Sequence, residues 1–115
     1  LGHACEMAQG SGVLLEIAPE KIDLIPEALE FARMGILPEG MYRNRRFAER
    51  WVEPGETELA VQDMLYDPQT SGGLLIAVDA ADADAMEREL QPAGPSCQRI
   101  GRVLSYEGGA RIRLV

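Results

Sequence analysis

Apolar runs along the chain predict its β-strands. Val13–Ile17 (VLLEI) and Leu74–Val78 (LLIAV) are almost uninterrupted hydrophobic stretches. Runs of this length next to turn residues are typical of buried strands at the centre of a sheet. Near the C-terminus, Gln98–Ser105 and Ala110–Val115 predict two more strands, joined as a hairpin through Glu107–Gly109. The apolar pattern therefore predicts four strands.

Between these runs the apolar residues recur at helical spacing, which predicts five helices. The helix boundaries follow from capping residues, glycines and prolines. The first predicted helix, Leu1–Gln9, is stopped by Gly10–Gly12, and the second is capped by Asp23, contains Pro26, ends at Gly35 and buries Ile25, Ala28, Leu29 and Ala32. The third follows Pro38–Gly40 and spans Met41–Trp51, with Phe47 and Trp51 inward, and the fourth is Glu58–Leu65, capped by Thr57. The fifth is Ala80–Gln91, capped by Asp79, with Ala83, Met86 and Leu90 on one face, and a turn over Pro92–Pro95 follows it.

The predicted order of elements is α-β-α-α-α-β-α-β-β. Alternating strands and helices indicate an α/β (α+β) fold, a layered domain with a mixed four-stranded sheet covered by helices. The β-α-β-β tail resembles half of a ferredoxin-like unit. With 115 residues, the chain is long enough for a single domain, residues 1–115, with its own core.

Composition narrows the possible partners. The net charge is −8, which argues against nucleic acid, because a basic surface supplies most non-specific affinity for nucleic acid. Every apolar run is far shorter than the roughly 20 residues of a membrane helix. The two cysteines, Cys5 and Cys97, fit a reducing cytoplasm better than a disulfide framework. The chain begins at Leu1 rather than Met, so we expect it to be a fragment of a longer protein.

One loop carries most of the candidate chemistry. Asp67–Leu75 (DPQTSGGLL) combines a proline turn, two hydroxyls and two glycines before the second apolar run. Hydroxyls and backbone N–H groups at the entrance to a strand can hold an anion, and the same residues also suit a tight turn. The helix–loop–strand order, with no lysine following, excludes a P-loop and a dinucleotide fingerprint. Composition leaves the structural and the anion-binding interpretations open.

Arginines form a second candidate site. Four of the chain's eleven basic residues lie within eight positions: Arg43, Arg45, Arg46 and Arg50. Guanidinium groups suit phosphate, so the cluster favours anion binding. The alternative is a solvated face that pairs with Glu39, Glu49 and Glu53. Asn44 lies within the cluster and can bond either a backbone group or a ligand.

The sequence predicts no complete catalytic set. His3 is the only histidine, and nothing in the sequence joins it to Ser11 or Ser71 as a triad. Asp79, Asp82 and Asp84 lie at a helix start, where the helix dipole favours carboxylates without a metal.

Three ordered segments resemble the selenide, water dikinase family, whose members are also called selenophosphate synthetases. Asp67–Leu74 (DPQTSGGL) is similar to the family signature. Leu1–Ala8 resembles the segment where that family's N-terminal domain joins its C-terminal domain, and Pro38–Asn44 resembles a Pro-Gly-Gly-Thr-x-Arg-Asn segment. Glu39 and Met41 depart from this last pattern, where the family has Gly and Thr.

The resemblance implies a C-terminal domain of the aminoimidazole-ribonucleotide-synthetase-like superfamily. It implies an intact enzyme, a cytoplasmic homodimer, that makes selenophosphate, AMP and phosphate from selenide, ATP and water with Mg²⁺. ATP and Mg²⁺ would be bound mainly by the N-terminal domain, which this chain lacks, so the fragment is expected to bind no cofactor or metal and to be inactive alone.

The residues that the resemblance places toward the cleft or its anions are Arg43, Asn44, Thr70, Ser71, Gly72 and Gly73. Two alternatives are a non-catalytic scaffold and the equivalent domain of another superfamily enzyme, such as those of hydrogenase maturation, thiamine-phosphate phosphorylation or purine synthesis.

Overall fold

A mixed sheet organises the fold. In the computed structural model, which describes residues 1–93 and 97–115, its strands are β1 (Val13–Ile17), β2 (Val52–Glu53), β3 (Gly101–Ser105) and β4 (Ile112–Leu114), in the order β2-β4-β1-β3. β1 runs antiparallel to β3 and parallel to β4, which is also parallel to β2. The predicted α/β class with a mixed four-stranded sheet is confirmed.

Five helices accompany this sheet in the described part of the chain. They are α1 (Gly2–Ser11), α2 (Pro26–Arg33), α3 (Glu39–Ala48), α4 (Leu59–Leu65) and α5 (Ala83–Leu90), with short 3₁₀ helices at Pro19–Lys21, Glu49–Trp51 and Gln91–Ala93. The end of α1 shows the expected glycine signal, because Gly12 adopts φ 68°, a left-handed conformation that glycine takes without a steric cost.

The core lies on one face of the sheet. Alternate residues of β1 and β4 share this face because side chains alternate along a strand. They pack against α1, α3 and the residue that follows α4; the buried cluster is Ala4, Cys5, Ala8, Leu15, Ile17, Met41, Ala48, Tyr66, Ile112 and Leu114. Met41 and Ile112 are fully buried, and removing such a side chain from water stabilises a fold by about 1.5–3 kcal/mol.

The opposite face of the sheet carries a ladder of alternating charges. Glu53 pairs with Arg113 at 3.1 Å, Arg113 with Glu16 at 3.8 Å, and Glu16 with Arg102 at 2.6 Å. These residues stand opposite one another in the strand register, so the ladder crosses all four strands. This face therefore points away from the buried cluster.

The predicted strand over Leu74–Val78 is wrong. Within the described residues this segment joins no sheet, and its large side chains are exposed, with Leu74 at 88%. The fourth strand is instead the short β2, which pairs with β4. A hydrophobic run becomes a strand only when neighbouring backbone groups are available to pair with it, and that condition is not visible in the run itself. The tail therefore has no strand before α5, and the predicted β-α-β-β unit is incomplete.

The predicted C-terminal hairpin is also wrong. β3 and β4 are both strands, but β1 lies between them and pairs with each. The connection does reverse the chain at glycines, since Gly108 and Gly109 have φ 108° and 82°. Just before β4, the backbone of Arg111 donates to Trp51 O at 2.8 Å and accepts from Leu15 N at 2.9 Å, so β4 enters the sheet beside β1 and not beside β3.

Three predicted helix caps shift toward the C-terminus. The caps of α2, α4 and α5 are Ile25, Glu58 and Asp82 rather than Asp23, Thr57 and Asp79. Asp79 instead accepts a 2.9 Å hydrogen bond from the backbone N–H of Ala81, which forms a turn before the helix. Local side-chain-to-backbone bonds of this kind compete with helix starts, so capping residues mark a boundary only approximately.

Two residues expected to face inward are exposed. Ile25 is 67% exposed and Phe47 is 52% exposed, whereas Ala32 is buried as predicted and Trp51 packs in part against the buried cluster. Pro92 and Ala93 lie in the last 3₁₀ helix, and the remainder of the predicted turn, residues 94–95, lies outside the described residues.

No helix in the described part of the chain has both the length and the hydropathy to span a membrane.

Candidate functional site

We call Asp67–Gly73 the motif loop. The chain enters it through its root, residues 66–69, and its exposed tip is Thr70–Gly73. Tyr66, the residue before the loop, is 4% exposed, and Asp67 is partly buried. From Pro68 onward every residue of the loop is exposed. The loop begins with a hydrogen bond from Gln69 N to Asp67 O at 3.0 Å, and Ser71 has φ 58°, an uncommon conformation for a residue with a side chain.

Helix α3 packs against the root of this loop. A Cβ atom built on Gly40 would lie 2.7 Å from Pro68 Cγ, so only glycine allows the first turn of α3 to approach so closely. One turn later, the Asn44 side chain donates from Nδ2 to the backbone oxygen of Tyr66 at 2.9 Å. Residues at i and i+4 share a helix face. One face of α3 therefore holds the root of the motif loop at two points.

A partly buried ion pair reinforces the same junction. The guanidinium of Arg45, next on α3, binds the carboxylate of Asp63 on α4, and it also lies 5.2 Å from the centroid of the Tyr66 ring. The Asp63 and Arg45 side chains are only 11% and 23% exposed. Burial raises the pKa of the Tyr66 phenol to about 12, although the nearby Arg45 charge lowers it. The pair therefore sits in a poorly hydrated contact between α3 and α4.

The remaining arginines of the predicted cluster face solvent. Arg43, Arg46 and Arg50 are exposed, and Arg43 lies 3.8 Å from Glu39 on its own helix. Glu53, another expected partner, pairs with Arg113 in the sheet instead. The cluster therefore divides: Arg43 and Arg46 of α3 and Arg50 of the 3₁₀ helix that follows it are exposed, while Arg45 turns inward. Weak pairing of this kind leaves the outer guanidinium groups available to a ligand or a partner.

The structure brings together only part of the predicted site. Asn44 meets the root of the motif loop, whereas Arg43 pairs within α3. Thr70, Ser71, Gly72 and Gly73 form the exposed tip. The hydroxyls and backbone N–H groups of this tip are hydrogen-bond donors that suit an anion, but they include no group that would act as a base at neutral pH.

Sequence reasoning missed the residues that join the two motifs. The sequence pattern places Gly40 just before a predicted helix and Arg45 in a cluster of four arginines. It singles out neither Asp63 nor Tyr66. The available signal is a charged residue at position 63 in a mostly apolar helix, Leu59–Leu65. A buried acid of this kind usually has a basic partner, but the sequence does not show which one.

Two other features lie apart from the motif loop. A shallow apolar groove of about 540 Å³ is bounded by the 3₁₀ turn Pro19–Lys21, Leu29 of α2, Val61 of α4 and the C-terminal Leu114 and Val115. Its lining includes none of the six predicted site residues. Cys5 is fully buried, and burial raises the pKa of its thiol. A thiol held in its neutral form in the core is unsuited to nucleophilic chemistry.

Comparison with known proteins identifies the domain type. The model of the family described as AIR synthase related protein, C-terminal domain, matches residues 1–112. The selenide, water dikinase 2 of Peptoclostridium acidaminophilum is 49% identical over 108 residues, covering 93% of this chain and 31% of that protein. The selenide, water dikinase of Clostridioides difficile (strain 630) is 47% identical over 95 residues, covering 82% of this chain and 27% of that protein.

A more distant relative shows the same coverage. The selenide, water dikinase of Nitratidesulfovibrio vulgaris (strain DSM 19637 / Miyazaki F) is 37% identical over 116 aligned residues, which cover 98% of this chain and 33% of that protein. The chain thus spans about a third of the length of the curated relatives that it matches.

Proposed function

Since the chain belongs to the family of AIR synthase related protein, C-terminal domain, we propose that it is the C-terminal domain of a selenide, water dikinase. The intact enzyme would convert selenide, ATP and water to selenophosphate, AMP and phosphate. The observation that carries the proposal is the junction between the two motifs: Gly40 and Asn44 of one segment contact Pro68 and Tyr66 at the root of the other. The names of the relatives support the same activity.

We assign this domain a supporting role in the cleft rather than the chemistry itself. Thr70, Ser71, Gly72 and Gly73 would close over the nucleotide and the reactive intermediate, with hydroxyls and backbone N–H groups directed at anionic oxygens. Arg43 would add positive charge at the edge of the same cleft. Loops carried on a rigid scaffold commonly supply such contacts.

The metal and the nucleotide would be held mainly by an N-terminal domain. Among the residues that the structure describes, no three His, Cys, Asp or Glu side chains converge as a metal site. We assign no step through Mg²⁺ to this chain. The N-terminal domain is the proposed partner, within a homodimer in the cytoplasm.

The double variant Thr70→Ala, Ser71→Ala in the full-length enzyme tests the role of the loop. We expect selenide-dependent ATP consumption to fall about tenfold or more, because removing one donor to a developing anion commonly costs a factor of 10²–10³. The melting temperature should stay within about 2 °C of wild type, because exposed substitutions change stability by at most about 0.5 kcal/mol. Turnover is measured as AMP formed per minute at saturating substrates.

Ser11→Ala is the matched control, because it removes an exposed hydroxyl at the end of α1. It should leave turnover unchanged. Wild-type turnover in the double variant would overturn the role proposed for the loop.

A second candidate function, a scaffold that docks on its N-terminal partner, is favoured by one observation. The apolar run that follows the loop is exposed, with Leu74 at 88%, and exposed apolar patches often mark protein contacts. For a scaffold, the same double variant would lose domain docking or thermal stability and retain its turnover per folded enzyme.

The isolated chain should hydrolyse no ATP, since the family's lysine, nucleophile and metal-binding aspartates would lie in the missing domain. Magnesium-dependent release of phosphate by the purified 115-residue chain, above a heat-denatured control, would refute this expectation.

A further inference from the structure

The root of the motif loop is held far more firmly than its tip. The last carbonyls of a helix lack partners within the helix. Tyr66, the residue that caps the end of α4, has its carbonyl satisfied by a group from elsewhere: Tyr66 O accepts from Asn44 Nδ2 at 2.9 Å. The point where the chain leaves α4 is therefore determined by contacts outside α4.

The contacts from α3 form one contiguous surface. Gly40 meets the ring of Pro68, Asn44 holds Tyr66 O, and Arg45 binds Asp63 and lies beside the Tyr66 ring. The contacted positions, 63, 66 and 68, lead directly into the loop. A displacement of α3 would therefore change the direction in which the exposed tip leaves the protein.

The side chain of Asn44 suits the task of holding the root of the motif loop. Its hydrogen bond to Tyr66 O is sufficient to explain why an amide stands at this position. Its amide nitrogen is a donor, and its bond ends on a backbone oxygen that would otherwise be unpaired in a partly buried position. A carboxylate at the same position would lack the donor and would face the carbonyl dipole with a negative charge.

We propose that Asn44 and Gly40 are positioning residues, which fix the root of the motif loop so that Thr70–Gly73 reach the reacting anions. This inference rests on the proposed function of the loop. It assigns Asn44 no contact with nucleotide or selenide. The two sequence motifs, 38–44 and 67–74, then act as one unit: the first orients the second.

Asn44→Asp in the full-length enzyme is the direct test, because it keeps the shape of the side chain and removes the donor. We expect amide hydrogen exchange across residues 66–69 to accelerate about tenfold, because the amides of Tyr66, Asp67 and Gln69 are hydrogen-bonded at the root and the root would lose a hydrogen bond of ordinary strength. We also expect kcat to fall at least about tenfold, with the KM for ATP changed less than about twofold, because misplacing a positioned group lowers rate more than binding.

Gln62→Glu is the matched control. The Gln62 amide makes the same kind of bond, from Nε2 to Thr57 O at 2.7 Å, but at the start of α4 and away from the loop. It should change neither loop exchange nor kcat. Gly40→Ala supplies a second variant should Asn44→Asp fold poorly, since its methyl group would press on Pro68, while Gly10→Ala adds a methyl group in open space.

The outcomes separate this inference from the proposed function. Unchanged exchange across 66–69 in both Asn44→Asp and Gly40→Ala would overturn the positioning role, as would a large rise in the KM for ATP with a loop root as protected as wild type. Faster loop exchange with wild-type kcat would support the positioning contact and overturn the catalytic role of the loop itself.

Discussion

Val13–Ile17 and Leu74–Val78 are apolar pentapeptides of similar composition, and only the first is a strand. β1 pairs with β3 on one side and β4 on the other, and its Leu15 and Ile17 are buried. The second run is exposed, and α5, all eight residues of which the structure describes, contributes no buried residue.

The difference between the two runs is one of partners rather than hydrophobicity. A strand needs backbone partners for its N–H and C=O groups and an apolar layer beneath one face. β1 has both, because α1 and α3 cover the sheet where it lies. At the β3 edge this cover ends: Val103 stands opposite buried Leu15 in the register and is 48% exposed. The chain thus consists of a packed region and an arm over residues 74–92, in which no residue is buried.

Hydrogen exchange should show the largest difference between these two regions. The amides of β1 should exchange at least about 10³-fold more slowly than those of Leu74–Val78, relative to unstructured rates, because they open only when the fold opens globally. The measurement is peptide-resolved exchange on the 115-residue chain. Equal protection of the two runs would mean that Leu74–Val78 is paired in solution, and the comparison would fail.

Truncation of one leucine in each run should give the next largest difference. Leu15→Ala should lower the free energy of unfolding by about 2–5 kcal/mol, because Leu15 is buried and its removal leaves a cavity. Leu74→Ala should change it by less than about 0.5 kcal/mol. Urea unfolding followed by circular dichroism measures both, and a loss above about 2 kcal/mol for Leu74→Ala would show that the arm packs against the core.

Ion pairs in the two regions should differ by a smaller amount. Asp63→Ala should cost about 1–3 kcal/mol, because it leaves the partly buried Arg45 without its carboxylate. Asp84→Ala removes from the arm a carboxylate that is 74% exposed and is bound to Arg99. This change should cost at most about 1 kcal/mol. The same urea titrations measure both variants. Similar losses would contradict the contrast in burial.

Ionisation of Tyr66 should not affect the free energy of unfolding at neutral pH and should lower it only in alkali. Its folded pKa is raised to about 12 by burial, above the value of about 10 for an unfolded chain. The folded state therefore retains a proton that the unfolded state loses, and stability should fall as pH rises from about 10 to 12. Tyr66→Phe should remove that part of the decline, as measured by urea unfolding at each pH. Identical pH profiles for the variant and wild type would show that the junction beside the arm is hydrated.

Much of the fold could be predicted where the signal is local. α1 is capped by Gly12, within the predicted stop Gly10–Gly12, and β1 has the predicted bounds Val13–Ile17. A left-handed cap and a buried apolar run both depend on adjacent residues. β2 could not be predicted, because two residues, Val52 and Glu53, carry no period and form a strand only through their pairing with β4.

The candidate site was predictable as two segments but not as one junction. Asn44 and Thr70–Gly73 are site candidates from the sequence and stay predictions. The contacts of Gly40, Arg45 and Asp63 at the junction are visible only in the structure. The contact between Gly40 and Pro68 joins residues 28 positions apart, and no spacing rule connects a helix face to a distant loop.

By itself, the sequence determined the α/β class, most of the helices, the acidic balance of the chain and the motifs that resemble selenide, water dikinases. These properties depend on residue type and on spacing along the chain. Only the tertiary structure decided which apolar run is a strand, that β1 separates β3 from β4, and that α3 holds the root of the motif loop. Those outcomes depend on which distant groups meet, because burial and hydrogen bonding stabilise a segment only through its partners in space.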